Sequence, residues 1–380
     1  MENKCHAIVI FGTRPEAVKM APVIRALKKR PEEIKTTICI TAQHREMLDQ
    51  VLDAFDISPD IDLDLMRPNQ SLAELTARIF KNLDPVLKKV KPDWLLIQGD
   101  TTTVMSAALL GYYNQIKIGH VEAGLRTHDK WQPFPEEINR RIAGVVTDLH
   151  FAPTENNRQN LLREGIPPEI IKVTGNPVID ALHIIKDQPA PKEATRLLER
   201  AGVVSGDRQL ILVTAHRREN FGQPIRDICQ ALRQLAEEYP NKIALIYPVH
   251  LNPNIQTPVY EALSEVPNII LLPPLDYFPL VHLMKHAKLI LTDSGGIQEE
   301  APSFGIPTLV LRERTERQEG VIAGTLKLVG TDPEKIVTEA QHLLEDPLAY
   351  AEMAGAINPY GDGHAAERIV DALLAYPFTK

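Results

Sequence analysis

Short segments of this chain concentrate acids, bases and cations where an apolar run stops. Gly12-Thr13-Arg14-Pro15-Glu16 follows the run Ala7–Phe11 and leads into a helical pattern that holds Lys19. Glycine permits a tight turn, proline suits a first helical position, and a helix N-terminus attracts an anion. Arg14 adds a cation whose fork geometry fits phosphate, although an ordinary strand–helix turn with a surface arginine reads the same way. The spacing of a Walker phosphate loop is absent. Gln98-Gly99-Asp100 ends the run Asp93–Gln98, and His120-Val121-Glu122-Ala123-Gly124-Leu125-Arg126 ends Ile116–His120. Phe134-Pro135-Glu136-Glu137 then opens a helix. Capping and dipole compensation account for each of these acids singly. As a set, Asp100, Glu122 and Glu136 fall at strand ends or helix starts of one domain and can converge. Convergent carboxylates raise one another's pKa, which lets a neutral acid and an ionised base coexist near pH 7.

The second half carries a different chemistry. His216, beside Arg217 and Arg218, follows the run Leu210–Thr214, and His250 takes the same place after Ile243–Tyr247. A basic cluster at a strand end suits a departing phosphate, though a lone histidine is often structural. Thr292-Asp293-Ser294-Gly295-Gly296 exposes successive backbone N–H groups ahead of a helix, a cradle for phosphate supplemented by the Ser294 hydroxyl. Glu300, one helical turn further, reads as an acceptor for ribose hydroxyls. Arg312, Arg314 and Arg317 follow the next apolar run as further anion contacts. The bland alternative is a glycine turn with capping acids.

The elements that must position these residues alternate along the whole chain. Fully apolar runs of strand length separate helical stretches such as Pro15–Lys29, Leu72–Lys88 and Thr103–Tyr113. That pattern predicts parallel sheets covered on both faces. Two consecutive series predict an α/β protein of two Rossmann-like doubly wound domains facing a central cleft, with ligands at the carboxyl ends of the strands. The expected division is 1–177 for the carboxylate domain, 178–362 for the nucleotide domain, and 363–380 for a terminal helix. With 380 residues the chain is long enough for two cores. Its 42 Lys+Arg against 50 Asp+Glu give a net charge of −8, which disfavours nucleic acid as a partner. Its 3 cysteines are widely spaced and signal neither a disulfide framework nor a zinc site. No apolar run reaches membrane-span length, and the N-terminus lacks a signal-peptide core. The expectation is a cytoplasmic enzyme or binding protein.

The segments FGTRPEAVKMAP, TAQHREMLDQV, QGDTTT, GHVEAGLRT, FPEEINR, TGNPVIDAL, TAHRREN, YPVHLNPN, LTDSGGIQEEAPS and NPYGDG, in this order, closely resemble the non-hydrolysing UDP-N-acetylglucosamine 2-epimerases. The resemblance runs from Phe11 to about Gly363. It implies the two-domain glycosyltransferase-B fold, with Ala365–Leu374 as a helix crossing back to the first domain. It also implies reversible inversion at C2 of UDP-GlcNAc to give UDP-ManNAc for bacterial surface polysaccharide, through loss of UDP to a 2-acetamidoglucal and its re-addition. On that resemblance Asp100, Glu122 and Glu136 share the acid–base work, and His216 stabilises the leaving diphosphate. Arg14, Ser294, Gly295 and Gly296 hold the phosphates, Glu300 binds ribose, and Lys19 and Arg317 support nucleotide binding. Neither a metal nor a nicotinamide cofactor is expected, and a homodimer is.

Some family members bind a second UDP-GlcNAc as an activator. Gln43, His44, Arg217 and His250 match that pocket, but Glu46 stands where regulated members often carry glutamine and Asn69 where they carry arginine. The resemblance with these two departures implies weak or absent activation. Three rivals predict different products. A hydrolysing enzyme of the same superfamily would release free ManNAc with UDP. A glycosyltransferase would need an acceptor. A nucleotide-sugar sensor would bind UDP-GlcNAc without exchanging its C2 proton.

Overall fold

The computed structural model describes residues 5–41, 45–67 and 70–377. Contacts divide the chain into two compact units, Met1–Ala181 with Tyr360–Lys380, and Leu182–Pro359.

The first unit begins β1 (Cys5–Phe11), α1 (Arg14–Lys28), β2 (Ile34–Ile40), α2 (Arg45–Ala54), β3 (Ile61–Asp62), α3 (Leu72–Val90) and β4 (Trp94–Gln98). It continues with α4 (Thr102–Tyr113), β5 (Lys117–Val121), α5 (Glu136–Val145), β6 (Leu149–Ala152), α6 (Glu155–Arg163) and β7 (Ile171–Val173), and α7 (Pro177–Lys186) follows. Its seven strands are parallel in the order β3-β2-β1-β4-β5-β6-β7. Ile8, Ile10, Leu95, Ile97 and Ile118 are wholly buried, as strands covered on both faces require. The β1–α1 turn is set by sequence: the Thr13 hydroxyl accepts the Glu16 N–H while the Glu16 carboxylate accepts the Thr13 N–H, a reciprocal cap that starts the helix there.

In the second unit α8 (Lys192–Arg200) leads to β8 (Gln209–Thr214), α9 (Gln223–Glu238), β9 (Ile243–Pro248), α10 (Pro253–Leu263), β10 (Ile269–Leu272) and α11 (Tyr277–His286). Then come β11 (Ala287–Thr292), α12 (Gly295–Glu300), β12 (Thr308–Val310), α13 (Gln318–Ile322), β13 (Leu326–Leu328), α14 (Pro333–Glu345) and α15 (Pro347–Ala354). The parallel order is β10-β9-β8-β11-β12-β13, the same winding as the first sheet. Each sheet reverses direction of growth beside its first strand, between β1 and β4 and between β8 and β11. Loops leave the sheet in opposite directions there, opening a crevice at the carboxyl ends of the strands.

The terminal helix α16 (Ala365–Leu374) belongs to the first unit and packs on α1. Its start is capped from a distance: the Asp180 carboxylate accepts the Ala365 and Ala366 N–H groups at 3.2 and 2.8 Å. Ile369, Val370 and Leu373 are fully buried, each contributing roughly 1.5–3 kcal/mol by burial.

Candidate active site

In the first unit the functional side chains gather where β4 and β5 end. Glu122 directly follows β5 in the left-handed region, at φ 63°. A non-glycine residue held there costs of order 1–3 kcal/mol, and such strain persists where surrounding contacts impose it. Those contacts are N–H donors. Lys19 Nζ from α1 reaches Glu122 Oε1 at 2.5 Å, and Asn176 Nδ2 reaches the same oxygen at 3.0 Å. Gln98 Nε2, at the end of β4, donates to Oε2. The carboxylate is buried, with 5% of its side chain exposed.

Asp100 sits in the next loop with 27% of its side chain exposed. Arg140 from α5 pairs with its Oδ2 at 2.5 Å, and Asn139 Nδ2 holds its backbone carbonyl at 3.0 Å. Burial lifts the Asp100 carboxyl above the usual range; Arg140 and Lys19 oppose that rise, while Glu122 and Glu136 add to it. Glu136 opens α5 half-buried, close enough for its charge to act on Asp100. Its neighbour Glu137 turns inward, accepting the Thr127 N–H at 3.1 Å and pairing with Arg140 at 3.4 Å. Glu122 and Glu136 thus both lie within electrostatic reach of Asp100.

Further hydrogen bonds tie the frame around them. His120 Nε2 bonds the Gly99 carbonyl at 2.7 Å, and the Gly99 N–H donates to Val121 at 3.0 Å. Burial pushes the His120 imidazole down to about 4, the Gly99 bond opposing it, so the ring is neutral near pH 7 and Nε2 carries the donated proton. Glu16, 2% exposed, accepts from Gly12 N, Thr13 N and Thr101 Oγ1, tying the β1–α1 turn to the β4–α4 turn. Arg14 is half-buried in the first of these turns.

In the second unit the anchor is Asp293, wholly buried at the end of β11. Its Oδ2 accepts the backbone N–H groups of His216 and Arg217 at 2.7 and 2.8 Å and Asn220 Nδ2 at 2.9 Å. Its Oδ1 lies 3.3 Å from His216 Nδ1. Burial lowers the His216 imidazole from its ordinary value; Asp293 pulls it back, and Arg217 and His250 depress it further. His216 and His250 stack, ring centroids 5.8 Å apart and 15° between planes. Ser294 and Gly295 lead into α12, with Gly296 exposed and Glu300 buried on the same short helix. A Cβ on Gly295 would sit 3.2 Å from the Arg317 guanidinium carbon, so glycine lets that cation lie directly against the turn. Arg317 is held there by Glu299 at 2.7 Å. Arg312 is spent on Glu219 and Glu316 at 2.5 and 2.9 Å, and Arg314 is exposed.

Residues 25–374 match the family described as UDP-N-acetylglucosamine 2-epimerase. The chain belongs to this family. It is 54% identical over 374 residues to the UDP-N-acetylglucosamine 2-epimerase of Yersinia pestis, covering 98% of this chain and 99% of the relative. The crystal structure of the Neisseria meningitidis UDP-GlcNAc 2-epimerase bound to UDP-GlcNAc superposes with a TM-score of 0.88 at 48% identity, over 98% of this chain and 100% of that one. The Methanocaldococcus jannaschii enzyme in complex with UDP-GlcNAc and UDP gives 0.78 at 33% identity, over 97% and 99%. The two parallel sheets with alternating helices are therefore the α/β fold of this epimerase family.

The first unit brings Lys19, Asp100, Glu122 and Glu136 together, and the second gathers His216, Arg217 and His250 in one cluster and Ser294, Gly295, Gly296, Glu300 and Arg317 around α12. Gln43, His44, Asn69 and the side chain of Glu46 lie outside the described residues. Sequence reasoning gave no role to Gln98, Arg140, Asn176 or Asp293. Asn176 reads in sequence as part of a Gly-Asn-Pro linker, and Asp293 as the lead-in to a glycine turn. Their shared signal is position: each except Arg140 stands at or just past the carboxyl end of a strand. Among the described residues no helix is long and apolar enough to cross a membrane.

Proposed function

We propose that this chain interconverts UDP-GlcNAc and UDP-ManNAc, in the cytoplasm and as a homodimer, to supply surface polysaccharide synthesis. The observation that carries this reading is the carboxylate set, with Glu122 and Glu136 both in reach of Asp100, in a chain from this epimerase family. One carboxylate removes the C2 proton as the C1–O bond breaks and its electron pair leaves with UDP. The product is the 2-acetamidoglucal. UDP then returns to C1 while a carboxylic acid delivers a proton to the opposite face of C2. No net oxidation occurs. His216, beside Arg217 and Arg218, stabilises the leaving diphosphate, an electrostatic contribution that is often the largest in such sites. Arg14, Ser294, Gly295 and Gly296 bind phosphate oxygens, with Arg317 behind the Gly295 turn, and Glu300 binds ribose. Weak or absent activation by a second UDP-GlcNAc follows from Glu46 and Asn69, the two departures from a sequence pattern that Gln43, His44, Arg217 and His250 match. A sigmoidal rate curve abolished by His44→Ala would overturn that last point.

Proton NMR of UDP-GlcNAc with the protein in D2O tests the main reading. UDP-ManNAc with deuterium at C2 of both epimers and little free UDP is expected. Free ManNAc with UDP would assign a hydrolase, and an unlabelled, unchanged spectrum would refute the reaction.

A further inference from the structure

Helix α5 holds Asp100 at two points and places a buried acid behind them. Asn139 Nδ2 donates to the Asp100 carbonyl at 3.0 Å, and one terminal nitrogen of Arg140 pairs with the Asp100 carboxylate at 2.5 Å. Three residues before Arg140, and so on the same face of the helix, Glu137 lies 3.4 Å from the other terminal nitrogen. The guanidinium is therefore shared between two carboxylates, Asp100 with 27% of its side chain exposed and Glu137 with 1%.

The local backbone does not require the second charge. Glu137 Oε2 accepts the Thr127 N–H at 3.1 Å, a bond that the oxygen of a glutamine amide makes equally well. Among the described residues Glu137 Oε1 and Arg140 Nε have no hydrogen-bond partner. A buried carboxylate is costly unless it is paired, and the cation that pairs this one is Arg140. An arginine given wholly to one acid holds it as the anion, since an adjacent opposite charge lowers a carboxyl by about 1–3 units. Divided between two acids, it holds each less strongly. Resting on the epimerase reading, we propose that Glu137 is a positioning residue that draws Arg140 partly away from Asp100, leaving Asp100 able to take up and release a proton in the reaction.

The surroundings agree with this division of charge. Burial lifts the Asp100 carboxyl although Arg140 opposes the rise; Glu122, Lys19 and Glu136 are the other charges acting on it. Helix α4, which packs on α5, has no acidic or basic side chain apart from Tyr112 and Tyr113 at its far end. Arg126 and Arg141 pair with Glu164, while His128, Asp129 and Lys130 of the β5–α5 loop are exposed. His120 is neutral near pH 7.

The test reads Asp100 directly, by carbon NMR of protein labelled at the aspartate carboxyls and assigned with Asp100→Asn. The pH profile of kcat/KM for C2-proton exchange of UDP-GlcNAc in D2O is measured beside it. In Glu137→Gln the amide oxygen keeps the Thr127 bond and the Arg140 charge falls wholly to Asp100. Asp100 is then expected to titrate at lower pH, and the limb of the profile that it sets is expected to move the same way. Arg140→Met is expected to move Asp100 upward, and Glu137→Gln added to it is expected to cause no further shift. An Asp100 titration or a profile unmoved in Glu137→Gln overturns the inference and leaves Glu137 a support for Thr127. A downward shift that persists in the double variant also overturns it, because Glu137 then acts on Asp100 without Arg140. Should Arg140→Met not fold, Arg140→Gln takes its place. A wild type that exchanges no C2 proton would sink the epimerase reading itself, while the NMR titration would still report whether Glu137 acts on Asp100.

Discussion

Replacing Asp293 by asparagine should change the charge state of His216 without unfolding the second unit. In Asp293→Asn the amide oxygen can occupy the Oδ2 position and keep the three donors from His216 N, Arg217 N and Asn220 Nδ2, now at 2.7–2.9 Å. What disappears is one negative charge 3.3 Å from His216 Nδ1. At that separation Coulomb's law gives about 5 kcal/mol at an effective dielectric of about 20 and about 1.3 kcal/mol in water. With 37% of its side chain exposed, His216 is screened towards the lower figure, and about 2 kcal/mol is the working value. Asp293 opposes the lowering caused by burial, so its loss takes the imidazole further down and leaves less imidazolium near pH 7. The assay is an NMR titration of labelled histidine, the His216 signal being assigned with His216→Gln. In contrast, Asp293→Ala strands three donors at about 1–3 kcal/mol each and should destabilise the unit by at least about 3 kcal/mol. A His216 signal that titrates at the same pH in Asp293→Asn would refute the reasoning, as would equal loss of stability in the two variants.

Other predictions concern the frame. Gly124 has φ 91°, and a Cβ there would lie 2.3 Å from the Asn157 carbonyl oxygen; Gly124→Ala should cost more than about 3 kcal/mol in urea denaturation, against about 1 kcal/mol for Gly206→Ala, where φ is 80° and the space is open. Asp180→Ala removes the cap on α16 and should cost about 1–2 kcal/mol, only partly recovered by Asp180→Asn, whose amide has one acceptor oxygen for the two N–H groups, read as a shift in the thermal midpoint. His120 and His150 pair across β5 and β6, and burial lowers them to about 4 and about 3 from 6.5. Because the unfolded chain binds these protons first, their contribution is complete above about pH 6.5 and is lost as pH falls towards 4, about 3 kcal/mol for His120 alone. His150→Phe should flatten the dependence of urea stability on pH between 6.5 and 4, and an unchanged slope would contradict the assignment. The raised Asp100 and Glu16 titrate with the opposite sign, which is why the difference between wild type and variant is the quantity to measure.

What was legible in the sequence was position along a strand, and what was not was the partner across the sheet. Wholly apolar runs such as Ala7–Phe11 and Leu210–Val213 announce buried parallel strands, and in a parallel sheet every loop that follows a strand emerges at the same end. Asp100, Glu122 and His216 could therefore be placed on the functional edge before any strand order was known. The strands β3, of two residues, and β13, of three, have no such run, because edge strands this short are held by one neighbour each. Contacts between ends depend on strand order, and no local pattern encodes it. Asn176 reaches Glu122 across 54 positions and Asp293 reaches the His216 backbone across 77. Lys19 shows the consequence most clearly. Read along the chain, it follows the turn that carries Arg14, and the family resemblance implies that it supports nucleotide binding. Once β1, β4 and β5 are known to lie side by side, the same lysine stands beside the loop after β5, and its ammonium rests on Glu122. The sheet order thus brings Lys19 onto a carboxylate 103 positions away, a contact that no local pattern announces.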